Sequence, residues 1–312
     1  TETELPEVKV RADGSMYSAT LKIAEGCNNR CAYCIIPFIR GNYRSKRQEA
    51  VIAEAKALAE AGCRELILIA QDTTYYGYDL YGEYRLPQLL KQLCQIDGIR
   101  WIRLMYCYED RITDELIQTI REDDKICNYL DIPIQHASDN ILKAMKRRST
   151  NRSITDKIAK LKEQIPDIHI RTTLITGFPG ETEEDFDTLY DFVAEQRFAR
   201  LGVFAYSQEE GTVAGQMPNQ IDEEIKTERA DSIMRLQMEI SLEENRSKID
   251  TVQEVIVDEI DEDGSYIGRT RYDAPEIDNA VIFTGKQEHK PGDMVMVHID
   301  DAFDYDLAGT EV

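Results

Sequence analysis

Between about residues 18 and 206, short runs rich in β-branched and apolar residues alternate with longer stretches whose apolar positions recur at helical spacing. The short runs predict strands at 19–24, 65–70, 101–105, 129–133, 169–175 and 201–206, and the longer ones helices at 48–61, 86–94, 113–122, 138–145, 153–164 and 182–195. Thr113, Ser138 and Thr182 open three of these helices as N-caps, residues whose side-chain oxygens accept amide protons left without a partner. Alternating strands and helices call for parallel strands joined by crossover helices, an α/β unit. Six pairs are too few for a closed eight-stranded barrel. An incomplete barrel or an open sheet is expected, with its site at the C-terminal strand ends where the loops gather. A charged helix over 222–246 closes this unit, with Ile225, Ala230, Ile233, Met234, Leu236 and Met238 read as its packed face.

The pattern then changes to four short β-like runs, EVIVDEI, YIGRTRY, AVIFTG and DMVMVHID, separated by turn sequences. They predict a small antiparallel β-barrel, so that the 312 residues divide into units 1–246 and 247–312. Charge sharpens the division. The net charge is −22, and residues 247–312 carry 17 Asp or Glu against 5 Lys or Arg. Such a segment repels a phosphate backbone and attracts a basic protein; the plainer alternative is a solvated, solubilising surface. Nucleic acid is thereby disfavoured as a partner. No apolar stretch is long enough to cross a bilayer, and the opening TETELPEVKV lacks the charged start and apolar middle of an export signal. A cytoplasmic protein is expected.

Of seven cysteines, Cys63, Cys94, Cys107 and Cys127 lie singly in apolar surroundings and read as core. Cys27, Cys31 and Cys34 lie together just after the first predicted strand, and Gly26 permits the turn before them. Three thiolates on one loop can converge on an iron–sulfur cluster, and three ligands for four irons leave one iron open to a substrate. A zinc site would want a fourth ligand, and His136, His169, His289 and His298 are all remote in sequence. A redox CxxC pair at Cys31 and Cys34 would leave Cys27 without a purpose. No Ser-His-Asp set, phosphate-binding loop or HExxH helix supports a hydrolase or nucleotide triphosphatase.

The cysteine loop resembles the CxxxCxxC signature of the radical S-adenosylmethionine superfamily. That resemblance implies a partial (β/α)6 TIM-like barrel and a [4Fe-4S] cluster on Cys27, Cys31 and Cys34. Its open iron would chelate S-adenosylmethionine, whose reductive cleavage yields a 5′-deoxyadenosyl radical. The strings EGCNNRCAYCIIPFIRGNYRS, ELILIAQDTTYYG, WIRLMYCY, YLDIPIQHAS, RTTLITGFPGETEEDF and LGVFAYSQEEGT resemble the methylthiotransferase family over nearly the whole chain. DAPEID, DYDLAG and the acidic terminal barrel, which resembles a TRAM domain, favour its protein-modifying branch over its transfer-RNA branch. The resemblance implies attachment of a methylthio group to the β-carbon of an aspartate in small-subunit ribosomal protein number twelve. The basic ribosomal protein would meet the acidic barrel, a reductant protein would supply electrons, and a monomer is expected. Family members carry a second [4Fe-4S] cluster in an N-terminal domain; this chain starts too late to contain it, so a fragment is expected.

Resemblance and position at strand ends together single out further residues. Tyr33 would offer its backbone to the adenine, and Gln71 and Gln135 could bond ribose or methionine oxygens; ring packing and ordinary loop amides are the plainer readings. Arg171 and Thr173 alternate on the fifth strand and share a face, where an inward pair could bind the carboxylate; a register shift of one would turn both to the helices. The turn from Gly177 to Glu181 could approach the adenine, and Phe204 could stack there or pack as core. Tyr106 and Tyr108 could line the aspartate pocket. Arg40, Arg44, Lys46 and Arg47 form either a basic rim or a solvated charge run.

Overall fold

The computed structural model describes residues 17–312, and the opening residues on which the export reading rests lie outside them. Six parallel strands form one sheet in chain order: β1 (Ser18–Lys22), β2 (Glu65–Ile69), β3 (Trp101–Leu104), β4 (Ile126–Asp131), β5 (His169–Thr176) and β6 (Arg200–Ala205). The first and last strands do not pair, so the barrel stays incomplete. Strand β2, ELILI, is almost wholly buried, as a central parallel strand covered on both faces must be. One face packs Leu66, Leu68, Leu104 and Leu174 against Val51, Leu89, Leu116 and Leu189 of the crossover helices. The other sets Ile67, Trp101, Met105 and Tyr129 against Ile256 and Ala274 of the terminal unit. Cys63, Cys94, Cys107 and Cys127 are buried and unpaired, as core cysteines.

Crossover helices run Gln48–Glu60, Leu86–Leu93, Asp114–Glu122, Asp139–Ala144, Asn151–Gln164 and Glu183–Gln196. Thr113 and Thr182 cap as the sequence implies, accepting from Leu116 N and Asp185 N. Ser138 occupies the cap position but donates its hydroxyl to Asp185 at 2.5 Å. The long helix Glu223–Arg246 buries a different stripe from the apolar one. Ile225 and Met238 are exposed, while Lys226, Arg229, Gln237, Ser241 and Asn245 point inward with Ile233 and Ile240. The reason is hydrogen bonding: Arg229 donates to Glu181, Gln237 to the Phe198 carbonyl and Asn245 to the Phe303 carbonyl. Apolar periodicity does not register a helix docked through polar side chains. Among the described residues no helix is long and apolar enough to cross a membrane.

Strands β7 (Val252–Ile260), β8 (Tyr266–Thr270), β9 (Val281–Thr284), β10 (Met294–Ala302) and β11 (Leu307–Glu311) close into a barrel in the order β8-β9-β11-β10-β7. The pattern missed β11, whose sequence LAGTE offers only one large apolar residue, Leu307. Its pairing with β9 is parallel, so the barrel is not wholly antiparallel.

This barrel docks on the N-terminal ends of the sheet strands through buried charges. Glu65, at the start of β2, takes Arg103 of β3 at 2.9 Å and Arg269 of β8 at 2.8 Å. Arg269 also holds Asp258, which accepts from the Tyr17 hydroxyl at 2.9 Å. The DAPEID loop supplies Asp273, paired with Arg200 of β6 at 2.5 Å, and Asp278, which accepts from Tyr129 at 2.6 Å. Tyr272 stacks on His169 with centroids 4.1 Å apart.

Candidate functional site

The cysteine loop leaves the opposite, C-terminal end of β1. After Lys22 the chain makes a short ladder, Ala24–Glu25 against Arg44–Ser45, which closes the segment 26–43 into a loop. Gly26 has φ +83°, and a Cβ there would stand 2.3 Å from the Asn42 carbonyl oxygen. Only glycine lets Cys27 N donate to Gly41 O at 3.2 Å. Asn28 and Asn29, between the ligand positions, brace the loop. Asn28 Oδ1 accepts from Tyr43 N, and Asn29 Nδ2 donates to Asp72 Oδ2 at 2.8 Å. Asp72, just beyond β2, is buried and also holds Arg111 and the Thr74 hydroxyl. Burial still leaves its carboxyl above the ordinary carboxylate range.

The three thiols share this loop, with Cys27 and Cys31 buried and Cys34 partly so. Burial chiefly, with Asp72 and the neighbouring sulfurs, pushes the Cys27 thiol up to about 11, and burial also raises Cys34. As bare thiols Cys27 and Cys34 are poor nucleophiles, and a positively charged metal group would stabilise their thiolates. Among the described residues no three His, Cys, Asp or Glu side chains converge as a single ion requires. A cube that distributes its thiolates over separate irons does not demand such convergence. The four histidines are engaged elsewhere: His136 stands 3.3 Å from Glu181, His169 stacks on Tyr272, His289 meets Glu311 at 3.0 Å and His298 meets Asp300 at 2.8 Å. The donor set fits a [4Fe-4S] cluster.

Gly26→Ala is expected to lower the iron retained per chain after anaerobic reconstitution, because the positive φ alone costs ~1–3 kcal/mol before the clash with Asn42. Circular dichroism should show the remaining fold intact, and undiminished iron would contradict the role given to this turn.

The other residues expected from the sequence gather at the same strand ends, with one exception. Gln71 follows β2, and its Oε1 is buried with no partner. Gln135 is buried at φ +72°, its backbone bridging β5 through Thr173 O and Ile175 N. Tyr106 also holds a positive φ and is 46% exposed. Such backbone strain in non-glycine residues concentrates at functional sites. Tyr33 is partly buried, packs against the cluster that contains Ala32, Phe178 and Tyr206, and turns its hydroxyl toward Cys31 and Arg147. Phe204 lies opposite Ile175 and is 63% exposed, so it is not core. The Gly177–Glu181 turn folds round its own carboxylate: Glu181 accepts from Gly177 N at 2.8 Å and is held by Arg229. Arg171 is the exception. It shares a face with Thr173 but pairs with Asp131 at 3.1 Å and Asp278 at 3.3 Å, toward the terminal barrel.

Tyr108 turns its hydroxyl to Cys31 Sγ, 2.9 Å away. Arg147 lies 4.2 Å from its ring centre, fixed in turn by Glu109. Of the basic rim, Arg40 leans on Glu25 and Lys46 on Glu54, while Arg44 and Arg47 are exposed. Sequence reasoning missed Asn29, Asp72, Arg111, Glu109 and Arg147. The signal was polar and charged residues clustered at the strand ends, in CNNRC, QDTT, CYEDR and the run KRRS that follows the helix Asp139–Ala144.

Residues 21–193 match the Radical SAM superfamily and residues 249–312 the TRAM domain. Ribosomal protein uS12 methylthiotransferase RimO of Clostridioides difficile (strain 630) is 55% identical over 94% of this chain and 66% of its own length. The RimO of Lachnoclostridium phytofermentans is 52% identical over 99% and 70%. The chain thus spans about two thirds of the length of the curated relatives it matches. Among solved structures, the radical SAM enzyme coproporphyrinogen III oxidase of Escherichia coli aligns at TM-score 0.56 and 15% identity, covering 83% of this chain and 66% of that one. Methylornithine synthase aligns at 0.52 and 16%, covering 73% and 64%. At such identities these two show the fold. The chain belongs to the radical SAM superfamily and, within it, to the RimO family of ribosomal protein uS12 methylthiotransferases.

Proposed function

We propose that this chain is the radical-generating and partner-binding part of an enzyme that attaches a methylthio group to the β-carbon of an aspartate in ribosomal protein uS12. The observation that carries this reading is the set of three unpaired thiols at the mouth of a radical SAM fold, in a chain about half identical to relatives named RimO. Cys27, Cys31 and Cys34 would hold a [4Fe-4S] cluster. Gln71, Gln135, Thr173, Phe204 and the Tyr33 backbone would meet S-adenosylmethionine, with Arg171 set behind them. The orphaned Gln71 Oε1 supports that placement, since a buried acceptor costs stability until a ligand donor satisfies it. When bound, the two groups supply a carbon-centred radical able to take hydrogen from an unactivated C–H bond.

The chain's own residues bind, orient and exclude water. The Asp72–Arg111–Asn29 contacts hold the loop, and the apolar cluster of Ala32, Phe178, Tyr206 and Met145 keeps solvent from one flank. Tyr106, exposed at the mouth, would meet the aspartate-bearing segment. The acidic unit 247–312 suits basic uS12, joined to a radical unit 1–246 in a cytoplasmic monomer served by a protein reductant. Second-cluster chemistry and sulfur insertion belong to the whole protein. The remaining four cysteines here are buried apart and suit no second cluster.

The rival within the family acts on transfer RNA. Titrating uS12 and transfer RNA separately against the chain distinguishes them. We expect uS12 to bind at least tenfold more tightly and to weaken with salt. Binding of RNA without uS12 would overturn the substrate assignment.

A further inference from the structure

We propose that Tyr108 is a positioning residue for the iron–sulfur group: its hydroxyl donates to the Cys31 thiolate and raises the potential at which that group accepts an electron. The inference rests on the assignment of Cys27, Cys31 and Cys34 as cluster ligands. The oxygen lies 2.9 Å from Cys31 Sγ, well inside hydrogen-bond reach of a sulfur acceptor. A metal-bound thiolate carries no proton, so in the loaded site the phenol is the donor.

Three restraints aim that hydroxyl. The Tyr108 backbone N–H donates to Thr74 Oγ1 at 3.0 Å, and Thr74 donates to Asp72 at 2.7 Å, tying the residue to the bracing of the cysteine loop. Arg147 stands 4.2 Å and Arg111 5.4 Å from the ring centre. Arg147 is itself held by Glu109 at 3.0 Å and by the Pro133 carbonyl at 3.0 Å, and Ser149 bonds the other Glu109 oxygen. Each flanking cation draws electron density from the phenol and strengthens its O–H as a donor. So constrained, the hydroxyl is committed to sulfur and is not free to grip substrate.

Reduction adds one negative charge to the cluster, part of it on the ligand sulfurs. A donor to sulfur therefore stabilises the reduced state more than the oxidised one, and hydrogen bonds to sulfur are among the factors that set such potentials. Placing the donor on Cys31 makes the site easier to reduce, which suits a cluster that must receive an electron from a protein partner.

Tyr108→Phe removes one oxygen and keeps the ring between its two cations. We expect full iron and sulfide content after anaerobic reconstitution. Spin resonance at poised potentials should show the reduced-to-oxidised ratio at any given potential reduced about tenfold, a shift of 59 mV downward for one electron. 3-Fluorotyrosine introduced at position 108, a more acidic phenol, should move the midpoint upward. Unchanged midpoints in both loaded variants would overturn the proposal; should the Phe variant fail to load, the fluorotyrosine variant alone decides. Retention of the cluster by chains lacking the three cysteines is a separate outcome that would remove the ligand assignment beneath it.

Discussion

Alanine at Cys27, Cys31 or Cys34 is expected to bring cluster loading, and with it reductive cleavage of S-adenosylmethionine, down to background. Three thiolates already leave one iron without a protein ligand, so losing a second attachment exposes two corners of the cube. No nearby group can replace the missing sulfur. Asp72 is spent on Arg111, Asn29 and Thr74, and each histidine has its own partner elsewhere. The remaining cysteines are buried in the core. Cys63→Ala serves as the contrast: it should load normally and lose only local packing and the thiol's contact with the Glu65 carbonyl, on the order of 1 kcal/mol. Iron and sulfide analysis with chromatographic measurement of 5′-deoxyadenosine reads both. Stoichiometric iron in any of the three ligand variants would sink the assignment.

Glu65→Ala should destabilise the chain by about 3–5 kcal/mol, because it leaves Arg103 and Arg269 facing each other as buried charges without their shared anion. All three side chains are nearly inaccessible to water, so solvent cannot screen the loss. Denaturant unfolding should show a lowered midpoint; a change under 1 kcal/mol would mean that water enters this interface. The same contacts set an acid limit. Burial alone would raise the Glu65 carboxyl, but Arg103 and Arg269 outweigh it and hold it at about 2; Arg200 and Lys248 likewise hold Asp273 at about 2. Depressed carboxyls stabilise the fold fully above their unfolded values, and that contribution drains away as pH falls from about 5 toward 2. His169 adds to the trend from a higher pH. Burial first, then Lys248 and Arg200, lower it to about 3, so stability present above its ordinary value of 6.5 is lost as pH drops toward 3. Asp72, Asp131 and Asp278, raised by burial, oppose the large shifts of these three groups. Stability measured from pH 7 to pH 3 should therefore decline steadily, and Glu65→Ala should flatten the steepest part below pH 5.

Strand and helix order was legible because apolar runs such as ELILI must be covered on both faces wherever they fold. The cysteine loop was legible because its ligands are consecutive in one segment. Elements whose partners are distant in sequence were not. The helix Glu223–Arg246 docks through Arg229, Gln237 and Asn245, each bonded to an atom more than 35 residues away, and so presents no apolar stripe to read. Strand β11 completes the terminal barrel with a single buried residue, Leu307, which makes no alternating pattern to read. Nothing in WIRLM shows that Arg103 is buried, because its partners Glu65 and Arg269 lie far away in sequence. Asp72 and Arg147 escaped notice because loop charge is usually solvated, and only packing shows that these are not.

The acidic barrel and the thiol loop sit at opposite ends of the same strands. A polypeptide gripped by one must travel the height of the sheet to reach the other, about 17 Å for the five residues of β2. On the function proposed above, that distance would act as a ruler. A short peptide carrying only the reacting aspartate would touch a single end, whereas a folded partner whose basic surface and target loop are spaced to match would engage both. Choice of partner would then follow from span as much as from the residue modified.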